Sequence, residues 1–344
     1  MLRVSFYSYK GGAGRSTTSW NTIQRLVNLL KPTAKEPFVI VDTDTESAGS
    51  TFLYKADDYF YKDDPYSSVQ KRMTDNDDTN YTEASENEKE KFFKGMYPVG
   101  TFFGLPEAEE KSVLLIGANL HKNSAKNAVV SGDGVEEQIK NFQNNITRAC
   151  EKCGAKALFF DSPSGTQFLA RKSIQESEIV VCCMRPTNQF REGTRKQLIN
   201  FVKNDIENNK AGKRKYILTP TMVCFDPGQK FILGGEERVY PEKAKKEIKI
   251  EFGTENMLED DDVKQTFKDI VMLDMLEPTP AGIKEKCYAE SEDNDSVYGI
   301  PEIKRFKWFE ACLGKLSEGE LSANDKAAIN RYEYLAQTIL KYRK

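Results

Sequence analysis

The sequence holds a single histidine, His121, among 344 residues. No apolar run approaches the roughly 18 residues that a membrane-spanning helix needs. No sign of charge dominates: Lys and Arg total 50 against 53 Asp and Glu, a net charge of -3. That balance removes any overall electrostatic case for nucleic acid or anionic membrane and leaves room only for a local basic patch. The seven cysteines are odd in number and scattered, which points to reduced thiols rather than a disulfide framework. One C-x-x-C occurs, Cys150 and Cys153, but without a second pair or a nearby histidine it lacks the donors of a structural metal site. The chain enters strand-like sequence at once, with neither a basic start nor a cleavable apolar core, so a cytoplasmic protein is expected. Internal repeats are absent and no composition shift separates a second domain. Residues 1–344 therefore read as one large domain able to bury a substantial core.

What is present is organised around Ser8 to Thr18, SYKGGAGRSTT. A short apolar run with strand character, Leu2 to Tyr7, precedes it. A segment with apolar residues at helical spacing follows: Trp20, Ile23, Leu26, Val27 and Leu30. Strand, glycine-rich turn and helix in that order make a phosphate cradle, because glycines let backbone N–H groups curl around an anion and the helix N-terminus adds partial positive charge. The usual pattern is G-x-x-x-x-G-K-[ST]. Here Gly14 and Ser16 fit, Tyr9 stands at the first glycine and Arg15 at the lysine.

Lys10-Gly11-Gly12-Ala13-Gly14-Arg15-Ser16-Thr17 resembles the deviant Walker A sequence of the ParA/MinD-like ATPases, usually KGGVGKTT. The resemblance implies that Gly11 to Thr17 bind nucleotide phosphates and that Lys10 reaches across a dimer to the partner subunit's nucleotide. Arg15 marks a variant branch. Two further segments carry the likeness. Asp42-Thr43-Asp44 closes the apolar run Pro37 to Val41, at the strand end where open α/β sheets place ligands. VDTDTESAGST resembles the family's VDLDPQGNAT, which implies that Asp44 orients the attacking water with Asp42 as its companion. Thr45 and Glu46 replace the usual Pro and Gln. Asp161 closes a second buried run, Ala157 to Phe160, and Asp161-Ser162-Pro163-Ser164-Gly165 resembles the family's DTPPG switch. In P-loop proteins such an aspartate holds Mg²⁺, so Ser16 and Asp161 are the expected metal residues.

The fold expected is α/β, a mostly parallel P-loop NTPase sheet flanked by helices in three layers, with two inserted segments. The first insertion, at about 55–111, has an acidic centre poor in aliphatic residues and aromatic flanks, Tyr54 to Tyr66 and Phe92 to Phe103. Those flanks either pack on their own domain or form a partner surface. The second insertion, at about 224–268, mixes glycine turns with basic and acidic patches. Further strands are expected at Ser112–Leu120, Ile179–Met184, Tyr216–Thr221 and Val271–Leu276. A helix with a C-x-x-C at its end is expected over Val135–Cys153, and a closing helix over Tyr332–Leu340.

The function implied is an ATP- and Mg²⁺-dependent switch: a homodimer forms on ATP binding, is released by hydrolysis, and serves a protein partner or DNA cargo. The N-K-x-D guanine signature is missing, since Asn209-Lys210 runs into Ala211-Gly212, so ATP is preferred over GTP. Two alternatives stand beside this reading. One is a nucleotide-binding regulatory subunit with little or no hydrolysis, motivated by Arg15, because a planar guanidinium cannot replace a compact ammonium without reshaping the phosphate contacts. The other is a P-loop tyrosine kinase with Tyr332, Tyr334 and Tyr342 as targets.

Overall fold

The structure, a computed structural model, describes residues 1–61, 68–74, 85–119, 135–185, 188–207, 214–222, 230–233, 236–239, 287–288, 300, 303, 306 and 312–343. In chain order its strands are β1 (Leu2–Tyr7), β2 (Phe38–Asp42), β3 (Tyr97–Pro98), β4 (Val113–Ile116), β5 (Ala157–Asp161), β6 (Ile179–Met184), β7 (Lys215–Pro220), β8 (Lys230–Leu233), β9 (Glu236–Val239) and β10 (Cys287–Tyr288). The chain packs as two compact units. One comprises Met1–Tyr7 and Leu26–Glu178, the other Ser8–Arg25 and Ile179–Lys344.

In the first unit the strands run in the order β1-β5-β2-β4-β3, parallel except for β3 against β4. Every residue of β2, β4 and β5 is buried. Continuous apolar runs of this kind are what strands covered on both faces require. Alternate residues share a face. Val39, Val41, Leu114, Ile116, Leu158 and Phe160 accordingly join one core cluster with Val69 and Met73 of the helix Val69–Thr74, Phe92 and Phe93 of the helix Glu86–Lys94, and Phe142, Ile146 and Ala149. The expected Val135–Cys153 helix is a composite: α-helical over Val135–Phe142, π-helical over Gln143–Arg148 and α-helical again over Ala149–Lys152. Side chains from this stretch bond the neighbouring helix at its carbonyl end, Asn145 to Arg72 O at 2.9 Å and Asn141 to Met73 O at 3.1 Å. Both thiols of the C-x-x-C are buried, and burial pushes Cys150 up to about 12 and Cys153 up to about 11.

Aromatic flanks of the first insertion pack within this unit. Tyr54 meets Phe102 edge-on with ring centroids 4.8 Å apart, and Tyr59 lies 4.6 Å from Tyr97. Phe60 fills the space that a side chain at Gly117 would need. The acidic centre of that insertion lies largely outside the described residues.

In the second unit the parallel strands run β10-β7-β6, and β8 and β9 form a separate antiparallel hairpin. The helix Asn188–Glu207 packs on β6. The closing helix spans Ala323–Lys341. Ser322 and Asp325 cap its start reciprocally, at 3.2 and 2.8 Å. Its Ala328 and Tyr332 cluster with Ile300, Ile303 and Leu313, and Leu335, Ala336 and Ile339 are buried as well. The strand expected at Val271–Leu276 lies outside the described residues, as does most of the second insertion. Among the described residues, no helix is long and apolar enough to cross a membrane.

Candidate functional site

The cradle belongs to the second unit. Gly12 and Gly14 both take left-handed backbone conformations, with φ of 77° and 68°. Such angles strain any residue with a Cβ. Immediately after Gly14 the helix α1 (Arg15–Leu30) begins. Its first turn is tied to the loop by Thr18, whose N–H and hydroxyl both donate to the Gly14 carbonyl, at 2.9 and 2.8 Å. Lys10, Gly11 and Gly12 are exposed, Ala13 is buried, and Gly14 to Thr17 are half-buried. The Lys10 ammonium donates to Gln189 Oε1 at 2.8 Å, and Arg15 donates to the Ser16 hydroxyl at 3.4 Å.

Two residues outside the glycine loop hold it. Arg185, directly after β6, donates from Nε to the Gly12 carbonyl at 2.8 Å. Thr221, directly after β7, donates to the Ala13 carbonyl. Next to it Met222 takes a φ of 51° and packs against Gly14. Tyr9, at the place of the missing first glycine, lies against Gly193 with no room for a side chain between them. The sequence carries no local sign of these contacts, which join residues 173 and 208 positions apart.

Carboxylates gather in the first unit. Asp42 and Asp161 end adjacent parallel strands and are register partners. Both are buried, and Asp44, two residues beyond the end of β2, is half-buried. The Asp42 carboxylate accepts from the Thr51 N–H and hydroxyl, each at 2.7 Å, and more weakly from the Asp44 N–H at 3.2 Å. Asp161 accepts from the Ser50 hydroxyl at 2.6 Å. Neighbouring residues of one short helix, Gly49–Leu53, therefore hold the two aspartates. That helix opens after Ala48, whose φ of 48° is left-handed. Burial, with the nearby Asp161 charge adding to it, pushes the Asp42 carboxyl up to about 7 despite the two Thr51 bonds. Asp44 bonds its own loop, accepting from the Ser47 N–H at 3.3 Å. Thr43 ties the strand ends together, donating from N and Oγ1 to the Asp161 carbonyl at 3.1 and 3.0 Å.

These groups fit the ligands the sequence implies. A Cβ added at Gly12 would meet nothing within 4 Å, so the loop's glycine surface is open to a phosphate. Hydroxyl and carboxylate oxygens, as in Ser16 and Asp161, are the donors that a hard ion such as Mg²⁺ takes, usually with phosphate and water completing the shell. Among the described residues, no three His, Cys, Asp or Glu cluster to hold a metal without such help.

No protein-family model matches the chain, and no curated protein matches it. Solved structures do. The MinC:MinD cell division protein complex of Aquifex aeolicus superposes with a TM-score of 0.54 at 12% identity, covering 98% of this chain and 96% of that one. The ATP complex of a Cyanothece McdA variant gives 0.53 at 12% identity, over 100% and 98%. A plasmid partition protein from Borrelia burgdorferi gives 0.51 at 12% identity, over 99% and 98%. At such identities the likeness is one of architecture: the chain shares with these proteins a mostly parallel α/β P-loop NTPase fold.

Proposed function

We propose that the chain is an ATP- and Mg²⁺-dependent switch ATPase of the ParA/MinD type, which dimerises on ATP binding and is released by hydrolysis. The observation that carries this reading is the loop Lys10–Thr17. Two left-handed glycines and a helix start form an anion-binding concavity in the sequence order that the deviant Walker A resemblance requires. The backbone N–H groups of Gly11 to Ser16 hold the phosphates, and Arg15 adds a charge-assisted contact. Ser16 and Asp161 would hold Mg²⁺, which would neutralise phosphate charge and so ease the approach of a water molecule. Asp44 orients that water, and Asp42, saturated by Thr51, fixes the loop that carries Asp44. Lys10 is exposed, as a residue that serves a partner subunit's nucleotide must be. Partner chemistry is read from the neighbours: MinD is solved with MinC, and a partition protein shares the fold, so a protein partner or DNA-linked cargo is proposed.

A specific observation favours a second reading, a nucleotide-binding regulator with little hydrolysis. The Arg15 guanidinium lies beside the Ser16 hydroxyl, the group assigned to the metal. The kinase alternative loses its first target, because Tyr332 is buried in the closing helix. Titration with ATP and Mg²⁺, followed by phosphate release, tests the proposal. Binding with turnover supports the switch, binding without turnover supports the regulator, and absence of binding removes both.

A further inference from the structure

Three consecutive carbonyls of the glycine loop are taken up by side chains from elsewhere in the second unit or from the helix start. Arg185 takes Gly12 O, Thr221 takes Ala13 O, and Thr18 takes Gly14 O. No cis peptide occurs among the described residues. In a trans peptide the carbonyl and the following N–H point in opposite directions from one plane. Fixing Gly12 O therefore fixes the direction of the Ala13 N–H, fixing Ala13 O fixes Gly14 N–H, and fixing Gly14 O fixes Arg15 N–H. Glycine-rich loops are otherwise free to turn these planes, since glycine populates both signs of φ with little cost.

We infer that Arg185 and Thr221 are positioning residues of the cradle, which hold the Gly12–Ala13 and Ala13–Gly14 peptide planes so that their N–H groups face the anion before it arrives. The inference rests on the proposed reading of the loop as a phosphate site and adds who orients it. Thr18 does the same for the third plane, but through the ordinary first turn of the helix. Arg185 and Thr221 act from the ends of β6 and β7. Thr221 is the cleaner of the two: its side chain is neutral and buried, and its N–H donates to Met184 O at 2.8 Å, which anchors it to the end of the neighbouring strand β6. Arg185 is exposed and additionally lies 2.8 Å from the Met222 sulfur, which keeps its guanidinium on the loop. An oriented nest binds a polyphosphate without first spending free energy on ordering the loop.

The test uses the full chain and measures affinity calorimetrically for ATP, inorganic tripolyphosphate and adenosine, with unliganded thermal unfolding alongside. Thr221→Val keeps the shape and removes the donor; it should weaken ATP and tripolyphosphate roughly three- to tenfold, the size of one lost hydrogen bond, and leave adenosine unchanged. Thr221→Ser should restore both. Arg185→Ala should act like Thr221→Val, with no change in unfolding temperature, because the side chain is exposed. Arg185→Ala decides the matter if Thr221→Val does not fold. Wild-type tripolyphosphate affinity in Arg185→Ala and in any folded Thr221→Val overturns the inference while leaving the ATPase reading intact. Wild-type protein that binds neither ATP nor tripolyphosphate overturns the reading itself, and the inference with it.

Discussion

Asp42 and Asp161 stand directly opposite each other at the ends of two adjacent parallel strands, both buried, each gripped by a different residue of the helix Gly49–Leu53. Two like charges at this spacing out of water oppose each other, and the hydroxyls of Ser50 and Thr51 offset only part of that cost. The two carboxylates thus differ by environment. Asp42 accepts two short bonds at one oxygen, and burial holds its proton to about 7.

The pH dependence follows. The folded chain keeps the Asp42 proton to about 7, whereas an unfolded aspartate loses it near about 4. Stability from this group is fully present below the unfolded value and is lost as pH rises to the folded one, at about 1.4 kcal/mol per pH unit while only the unfolded form is ionised. Asp42→Asn should flatten the stability profile between about pH 4 and 7, and its amide oxygen can still accept from Thr51. Denaturant melts across that range, in EDTA, report the slope; an unchanged profile would assign the titration to another group.

Ser50→Ala removes the 2.6 Å bond on Asp161 without touching the cradle. If that bond aims the carboxylate at Mg²⁺, the ATP affinity gained on adding Mg²⁺ should drop by roughly three- to tenfold, with metal-free ATP affinity unchanged. Ser50→Thr should recover it. Equal losses with and without Mg²⁺ would make Ser50 a fold residue only.

Gly117 and Phe60 offer a test of how the first insertion is held. The Phe60 ring occupies the volume that a side chain at Gly117 would take. Gly117→Ala should cost about 1–3 kcal/mol by overpacking. The same change in a Phe60→Ala background should cost less than about 0.5 kcal/mol, since the ring that opposes it is gone. Additive costs in the double-mutant cycle would show that the cost at Gly117 does not come from the Phe60 ring.

Much of this molecule is written locally. The runs at Leu2–Tyr7, Ala157–Asp161 and Ile179–Met184 are apolar because they lie between covered faces, and their ends coincide with the observed strands. Gly12 and Gly14 mark the loop because only a residue without a Cβ takes those backbone angles easily. Other features have no local sign. Nothing local marks Ser50 as a carboxylate partner, and it becomes one only because the helix after Ala48 brings it to Asp161, 111 residues away. β3 is two residues long and too short for any periodicity. The π-helical Gln143–Arg148 carries the same apolar spacing as an ordinary helix, so the sequence does not distinguish the two. Arg185 and Thr221 reach the cradle by strand order, which no short pattern encodes.

Lys10 and Arg15 decide between switch and regulator, because they should fail at different steps. Arg15 is half-buried beside its own subunit's Ser16, whereas Lys10 is exposed and rests on Gln189. If Arg15 serves the phosphates of its own subunit, Arg15→Ala should weaken ATP binding even in a monomer. The lost charge-assisted contact is worth on the order of 1.5–3 kcal/mol, roughly ten- to a hundredfold in affinity. If Lys10 serves the partner's nucleotide, Lys10→Ala should leave monomer binding nearly intact and abolish ATP-dependent dimerisation and turnover. Arg15→Lys is the companion: it should keep binding and, by withdrawing the broad guanidinium from the Ser16 hydroxyl, raise the hydrolysis rate. Light scattering with a nonhydrolysable ATP analogue, beside nucleotide titrations, reads both steps. A wild-type chain that stays monomeric when saturated with the analogue would remove the sandwich dimer and leave the regulator, with Lys10 then without a catalytic part.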